Sequence, residues 1–87
     1  MENKILLVDD EKDIVDLVEE VLRKEGFRVI QKAYNGTDAL KICRDFQPDV
    51  IVLDIMLPDI DGFSLCRKIR EKFYFPIIML TAKVEDM

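Results

Sequence analysis

Three apolar runs in this chain end in polar side chains that could bind a metal ion or a phosphoryl group. The run ILLV at residues 5–8 is followed by Asp9 and Asp10, the run VIVL at 50–53 by Asp54, and the run IIML at 77–80 by Thr81. Short apolar runs of this kind are typical of strands buried in a parallel sheet. Because the carboxyl ends of parallel strands meet at one edge, we expect these four side chains to lie together.

Three carboxylates gathered at one edge would repel one another, and burial would raise the pKa of at least one of them. A hard divalent cation removes this repulsion, and Mg²⁺ typically takes one or two carboxylates together with water and phosphate oxygens. Beside such a metal a carboxylate can act as the nucleophile that accepts a phosphoryl group. Asp54, at the tip of the predicted central strand, is the expected phosphoacceptor. Asp9 and Asp10 are the expected metal ligands, and Thr81 offers a hydroxyl to a phosphoryl oxygen.

Each of these residues also has a plainer interpretation when it is taken alone. Asp54 could end a strand or cap a helix, Asp10 could cap the helix that follows it, and Thr81 could simply close a strand. Only the combination of polar residues at three strand ends favours the functional interpretation.

Helices and strands alternate along the chain and would position these residues. The pattern predicts strands at 4–8, 27–30, 50–53 and 77–80, with helices over 11–25, after Asn35 and Gly36, and from 61–62 onward. This alternation is typical of βαβ units, so we expect an α/β fold with three layers and a doubly wound parallel sheet. The short strand at 27–30 suits the outer edge.

Each predicted helix carries apolar residues at helical spacing, and these are expected to face the sheet. They are Ile14, Leu17, Val18, Val21 and Leu22 in the first helix, Ala39, Ile42, Cys43 and Phe46 in the second, and Phe63, Cys66, Ile69 and Phe73 in the third. The two cysteines, with no histidine or CxxC pair nearby, are expected to be reduced core thiols.

Composition restricts the function classes further. The net charge is −5 and no basic stripe is present, which argues against nucleic-acid binding by this segment. No apolar stretch approaches a membrane span or a signal sequence, so a cytoplasmic protein with no membrane contact is expected.

Other sites that use aspartate fit the sequence poorly. A haloacid dehalogenase phosphatase would carry a second acid two residues after its nucleophile, where this chain has Met56. An EF-hand aligned on Gly62 would place Leu57 at the first loop position and Lys68 at the twelfth. A nucleotide site would need a glycine fingerprint that the three glycines do not form.

The stretches ILLVDDE, VIVLDIMLPDIDG and PIIMLTA together resemble the receiver domain of bacterial two-component response regulators. The resemblance covers essentially the whole chain and implies a flavodoxin-like, non-enzymatic phosphorelay module. It also implies that Asp54 accepts a phosphoryl group from a sensor histidine kinase. The LPDIDG loop further resembles receivers that are joined to winged-helix DNA-binding domains.

The resemblance also implies a ligand set for Mg²⁺. Asp10 would bind the metal directly and Asp9 through water, while Asp54 and the backbone carbonyl of Met56 would complete the protein ligands. Thr81 would be the switch hydroxyl, beside the small residue Ala82.

The chain departs from the family pattern at its C-terminal end. A receiver has a fifth strand that ends in a lysine, and residues 1–87 are expected to form a single domain that stops before it, with strand order 2-1-3-4. Lys83 lies in the loop after the fourth strand and is not the expected substitute. The fourth strand would be an unguarded edge, where a second copy is expected to dock as a homodimer or an element-swapped oligomer. The alternative function is a non-signalling, oligomerising fragment.

Loss of the fifth-strand lysine predicts impaired phosphorylation. With Mg²⁺ and a small phosphodonor, we expect this chain to form an acyl phosphate more slowly than a longer chain that includes the fifth strand. Intact-protein mass spectrometry over time measures both rates, and equal rates would refute the predicted impairment.

Overall fold

A four-stranded parallel sheet forms the centre of the computed structural model, which describes residues 3–80. In chain order, the strands are Lys4–Val8 (β1), Val29–Ala33 (β2), Val50–Asp54 (β3) and Ile77–Leu80 (β4), and the helices are Lys12–Lys24 (α1), Gly36–Phe46 (α2) and Gly62–Arg70 (α3). The strand order is β2-β1-β3-β4. The predicted doubly wound α/β fold with order 2-1-3-4 is therefore confirmed.

The alternating side chains of β1 bind the layers together. Ile5 and Leu7 pack on one face of the sheet with Val15 of α1, while Leu6 and Val8 pack on the other face with residues of α2 and α3. All four side chains of this strand are almost fully buried. This two-sided burial explains why β1 is an uninterrupted apolar run and places α1 on one face and α2 and α3 on the other.

The buried face of α1 differs from the predicted one. Val15 is buried, and Val18 and Leu22 pack beside it at the same helical spacing. Ile14, Leu17 and Val21, which were predicted to face the sheet, are instead exposed by 38%, 58% and 52%. The helix is apolar over two adjacent faces, so its periodicity alone did not decide which face meets the sheet.

The prediction of which residues of α3 face the core was also wrong in the first turn of the helix. Phe63 was predicted to be buried but is 55% exposed, whereas Leu65 is fully buried. Ile69 is buried as predicted, and Cys66 and Phe73 pack partly against the core, Phe73 from beyond the end of the helix. In α2, Ala39 and Cys43 are buried, and Ile42 is partly buried against them. Burial raises the pKa of the free Cys43 thiol to about 11, as fits a core thiol.

The second strand starts and ends later than predicted. Phe27 and Arg28 precede it, because the Phe27 N–H donates to the Leu22 carbonyl and closes the end of α1, with Gly26 at a φ of 103°. The strand extends to Ala33 and includes a lysine, Lys32, that contacts Glu19 of α1 at 2.9 Å. Its predicted position at the sheet edge is confirmed.

At the opposite edge, β4 has β3 as its only paired strand among residues 3–80. Ile78, on this strand, is 53% exposed. Within the same residues, none of the helices has the length and apolar character needed to cross a bilayer.

The observed burial of the helices predicts that two leucine-to-alanine substitutions change the free energy of unfolding by different amounts. Leu65→Ala should lower the free energy of unfolding by about 2–5 kcal/mol, because it opens a cavity in the core. Leu17→Ala, at an exposed position, should change it by no more than about 0.5 kcal/mol. Urea denaturation of the two variants and the parent chain measures these changes. Similar decreases in the free energy of unfolding for both variants would contradict the observed exposure of Leu17 on α1.

Candidate functional site

The structure brings three of the predicted site residues together at the carboxyl edge of the sheet. β1 pairs with β3 in parallel, with Val8 opposite Leu53, so Asp9 and Asp10 follow one strand beside Asp54 at the end of the other. One carboxylate oxygen from each aspartate lies within 4.8 Å of the others. Neighbouring strands that end at the same edge thus create the carboxylate cluster expected from the sequence.

The three carboxylates differ in burial. Asp54 is 5% exposed and Asp9 is 8% exposed, whereas Asp10 is open to solvent. The Glu11 N–H donates to Asp9 Oδ1 at 2.9 Å, and the Asp9 N–H donates to the Ala33 carbonyl, which together fix the turn after β1. The N-cap position of the helix that follows is Glu11, whose side chain makes no capping hydrogen bond, so Asp10 does not occupy the cap position considered for it.

Burial raises the pKa of both enclosed aspartates. For Asp54 desolvation is the largest cause, the backbone N–H groups of Met56 and Ile55 act in the opposite direction, and the Asp10 charge raises the pKa further. For Asp9 desolvation again comes first, and the charges of Asp54 and Asp10 add to it. The pocket therefore disfavours the ionised forms of its own acids and would gain from a positive charge.

One atom shows where such a charge fits. Oδ1 of Asp54 is buried and has no hydrogen-bond partner among the described residues. A buried, unpaired carboxylate oxygen is costly, and in native proteins it usually calls for a bound ion or water. With two further carboxylates beside it, this oxygen suits a hard divalent cation such as Mg²⁺.

The loop after β3 folds back on itself next to Asp54. The Gly62 N–H donates to the Ile55 carbonyl, and Met56 and Asp61 form an antiparallel bridge. A Cβ at Gly62 would lie 2.6 Å from the Asp54 carbonyl oxygen and 2.7 Å from Ile55 Cα. A glycine is therefore required for the backbone to approach this closely. The sequence had indicated Gly62 only as part of a helix start.

Asp61 begins α3 as predicted. Its carboxylate accepts the Ser64 N–H at 2.8 Å and the Ser64 hydroxyl at 2.9 Å, and these bonds hold its pKa below the usual value. The same loop contains Asp59, whose carboxylate accepts hydrogen bonds from Gly36 and Thr37 of α2. The sequence reasoning missed this contact, because nothing local to Asp59 points to a helix 22 or 23 positions away.

The remaining predicted site residues are not tested by this geometry. Thr81, Ala82 and Lys83 lie outside the described residues. Met56 is present, with its side chain 63% exposed, and the predicted role of its backbone carbonyl stays a prediction.

Comparison with known proteins agrees with the observed fold. The family model of the response regulator receiver domain matches residues 5–87. The chain belongs to the response regulator receiver family. Across all 87 residues this receiver is 53% identical to the regulatory protein VanRc of Enterococcus gallinarum, of which it spans 37% of the length.

Solved receivers superimpose closely on this one. The response regulator TrrA of Thermotoga maritima, solved in complex with Mg²⁺-BeF, is 42% identical, with a TM-score of 0.88 over 95% of this chain and 71% of that one. The BeF3-activated receiver domain of RstA from Klebsiella pneumoniae is 34% identical, with a TM-score of 0.88 over 97% of this chain and 71% of that one. The predicted identification as a receiver domain is therefore confirmed.

Neutralising Asp54 should stabilise this receiver when no metal is bound. Because the pKa of Asp54 is raised in the folded state, the stability linked to its protonated form is complete below its ordinary value of 3.8 and is lost as the pH rises through the raised pKa. Asp54→Asn should therefore unfold at higher urea concentration than the parent at neutral pH in EDTA. The gap should close as the solution is acidified.

Magnesium should reduce that difference in stability. At ten times its dissociation constant, Mg²⁺ should add about 1.4 kcal/mol to the parent and much less to Asp54→Asn. Asp45→Asn, which removes an exposed carboxylate near the far end of α2, is the matched control and should behave like the parent. A variant at Asp54 that is less stable than the parent in EDTA at neutral pH would show that the cluster does not carry the inferred electrostatic penalty.

Proposed function

We propose that this receiver accepts a phosphoryl group on Asp54, with Mg²⁺ held by Asp9, Asp10, Asp54 and the backbone carbonyl of Met56. The observation that carries the proposal is the unpaired, buried Oδ1 of Asp54 beside two other carboxylates. Such an oxygen has no stabilising role in the fold, so its retention suits a site that is completed by a cation and a phosphoryl group.

The chain's own residues divide the work by their burial. Asp54 supplies the attacking oxygen from a rigid strand end, which holds the nucleophile in one position. Exposed Asp10 is accessible to an incoming hydrated metal, whereas buried Asp9 is held by the Glu11 N–H and suits contact through water. When bound, Mg²⁺ would neutralise the oxygens of the phosphoryl group.

The transfer itself is a simple exchange of bonds. A carboxylate oxygen of Asp54 bonds to phosphorus while the bond from phosphorus to its donor breaks, and the donor leaves with that electron pair. The donor proposed in the cell is the phosphohistidine of a sensor histidine kinase, the class of partner that response regulator receivers generally have. We propose the cytoplasm as the compartment of this exchange, and Thr81 as the switch hydroxyl.

VanRc is named as a regulatory protein, and this chain spans only part of its length. Because the LPDIDG loop resembles that of receivers joined to winged-helix DNA-binding domains, we propose control of transcription as the output. The family match does not favour the alternative of a non-signalling, oligomerising fragment. Docking of a second copy along the outer edge of β4 stays a prediction.

Phosphorylation by a small acyl phosphate tests the proposal without the kinase. With acetyl phosphate and Mg²⁺, the parent should gain the mass of one phosphoryl group, and the product should be cleaved by hydroxylamine. Asp54→Ala should gain none, and Asp10→Asn should be slowed by about tenfold or more, because metal-site changes commonly cost that much. Asp45→Asn should match the parent. Equal labelling of Asp54→Ala and the parent would refute Asp54 as the acceptor.

A further inference from the structure

We propose that Asp59 is a positioning residue that fastens the loop after β3 to the N-terminus of α2 and so holds the backbone of Met56 in place for the metal. This inference rests on the proposed function, since it deepens the account of the same site. Below, the β3–α3 loop means residues 55–61.

The hydrogen bonds of Asp59 reach donors that α2 cannot satisfy by itself. Asn35 is the N-cap of the helix and accepts the Asp38 N–H at 2.8 Å. The N–H groups of Gly36 and Thr37, at the first two helical positions, have no intrahelical acceptor, because no helical residue precedes them by four positions. Asp59 Oδ1 accepts the Gly36 N–H at 2.8 Å, and Oδ2 accepts the Thr37 N–H and hydroxyl, both at 3.0 Å.

The charge of Asp59 strengthens this attachment. A carboxylate is stabilised at the positive end of a helix dipole, and hydrogen bonds to a charged acceptor are stronger than neutral ones. These bonds, that of Gly36 first, hold the pKa of Asp59 below its usual value. Asp59 therefore stays ionised and attached to α2 across the neutral range.

Apolar packing supports the same contact. A Cβ added at Gly36 would overlap Cγ2 of Ile60, so the loop lies directly against the bare glycine backbone. Ile60 and Leu57 of the loop also pack against the main core cluster. The tip of the β3–α3 loop is thus held by both hydrogen bonds and close contact.

This attachment bears on the acceptor site through the shape of the loop. The Gly62 N–H bonds to the Ile55 carbonyl, and Met56 bridges to Asp61, so the base of the loop is closed on itself. Asp59 lies at the tip, between the two bridged residues. Without the hydrogen bonds of Asp59, the loop would be held by its base and by the apolar contacts of Leu57 and Ile60 alone, and the direction of the Met56 carbonyl relative to Asp54 would be less firmly fixed.

Two variants release the tip by opposite routes. Asp59→Ala removes the hydrogen bonds and weakens the start of α2. Gly36→Ala keeps Asp59 but displaces Ile60, while alanine favours the helical conformation of α2 more than glycine does. Asn35→Ala is the matched control, because it removes the helix's own cap and so destabilises α2 without touching the loop.

The experiment measures Mg²⁺ affinity by calorimetry and metal-free hydrogen exchange of the Gly62 amide by NMR. Asp59→Ala and Gly36→Ala should each raise the Mg²⁺ dissociation constant about tenfold, the usual scale for residues that orient metal ligands. Both should also speed exchange at Gly62. Asn35→Ala should leave both quantities as in the parent, although it weakens the same helix.

The outcomes separate this inference from the proposed function. Unchanged affinity and exchange in both release variants would overturn the role of Asp59, as would equal effects from Asn35→Ala, since the changes would then reflect α2 stability alone. A parent chain that binds no Mg²⁺ would contradict the proposed function. In that case the exchange rates at Gly62 in the three variants would still decide whether Asp59 holds the loop.

Discussion

The repulsion among three carboxylates at one sheet edge is the constraint on which the rest of this receiver depends. Asp9, Asp10 and Asp54 lie within reach of one cation because β1 and β3 are neighbours that run in the same direction. Two of the three are nearly buried, and desolvation raises the pKa of each. An arrangement that costs free energy in the empty fold, and gains it when a cation arrives, is suited to binding rather than to stability.

The hydrophobic core must offset the free energy that is needed to hold these carboxylates together. The strands that end at the three carboxylates, β1 and β3, contribute much of the buried core, and helices cover both faces of β1. Packing on both sides fixes the register of β1 against β3, and this register sets the distance between Asp9 and Asp54. The rigidity of the acidic edge is therefore a consequence of apolar packing beneath it.

The loop that follows Asp54 shows how backbone contacts complete the site. Gly62 allows the chain to fold back within contact of the Asp54 carbonyl, and Gly36 allows the loop tip to lie against α2. At each place a side chain as small as alanine would overlap its neighbours. Glycine thus permits a close backbone approach at both places. At Gly36, the hydrogen bond from its N–H to the Asp59 carboxylate adds a polar contact between the loop and α2.

Errors in the predicted packing have a common physical origin. Helix α1 carries apolar residues on two adjacent faces, and the sheet selected the face of Val15 over that of Leu17. At the start of α3, Phe63 and Leu65 are both apolar, and only the orientation of the helix on the sheet buries Leu65. Periodicity identifies a helix, but its rotation depends on what it packs against.

The sequence by itself determined the architecture and the identity of the acidic residues. Apolar runs that end in Asp9, Asp10 and Asp54 predict a parallel sheet with carboxylates at one edge, because strand direction and side-chain type are local properties. Only the tertiary structure decided that Asp54 Oδ1 is left without a partner and that Asp59 reaches α2 across 23 positions. Such contacts depend on how separate elements come together in space, which no local pattern encodes.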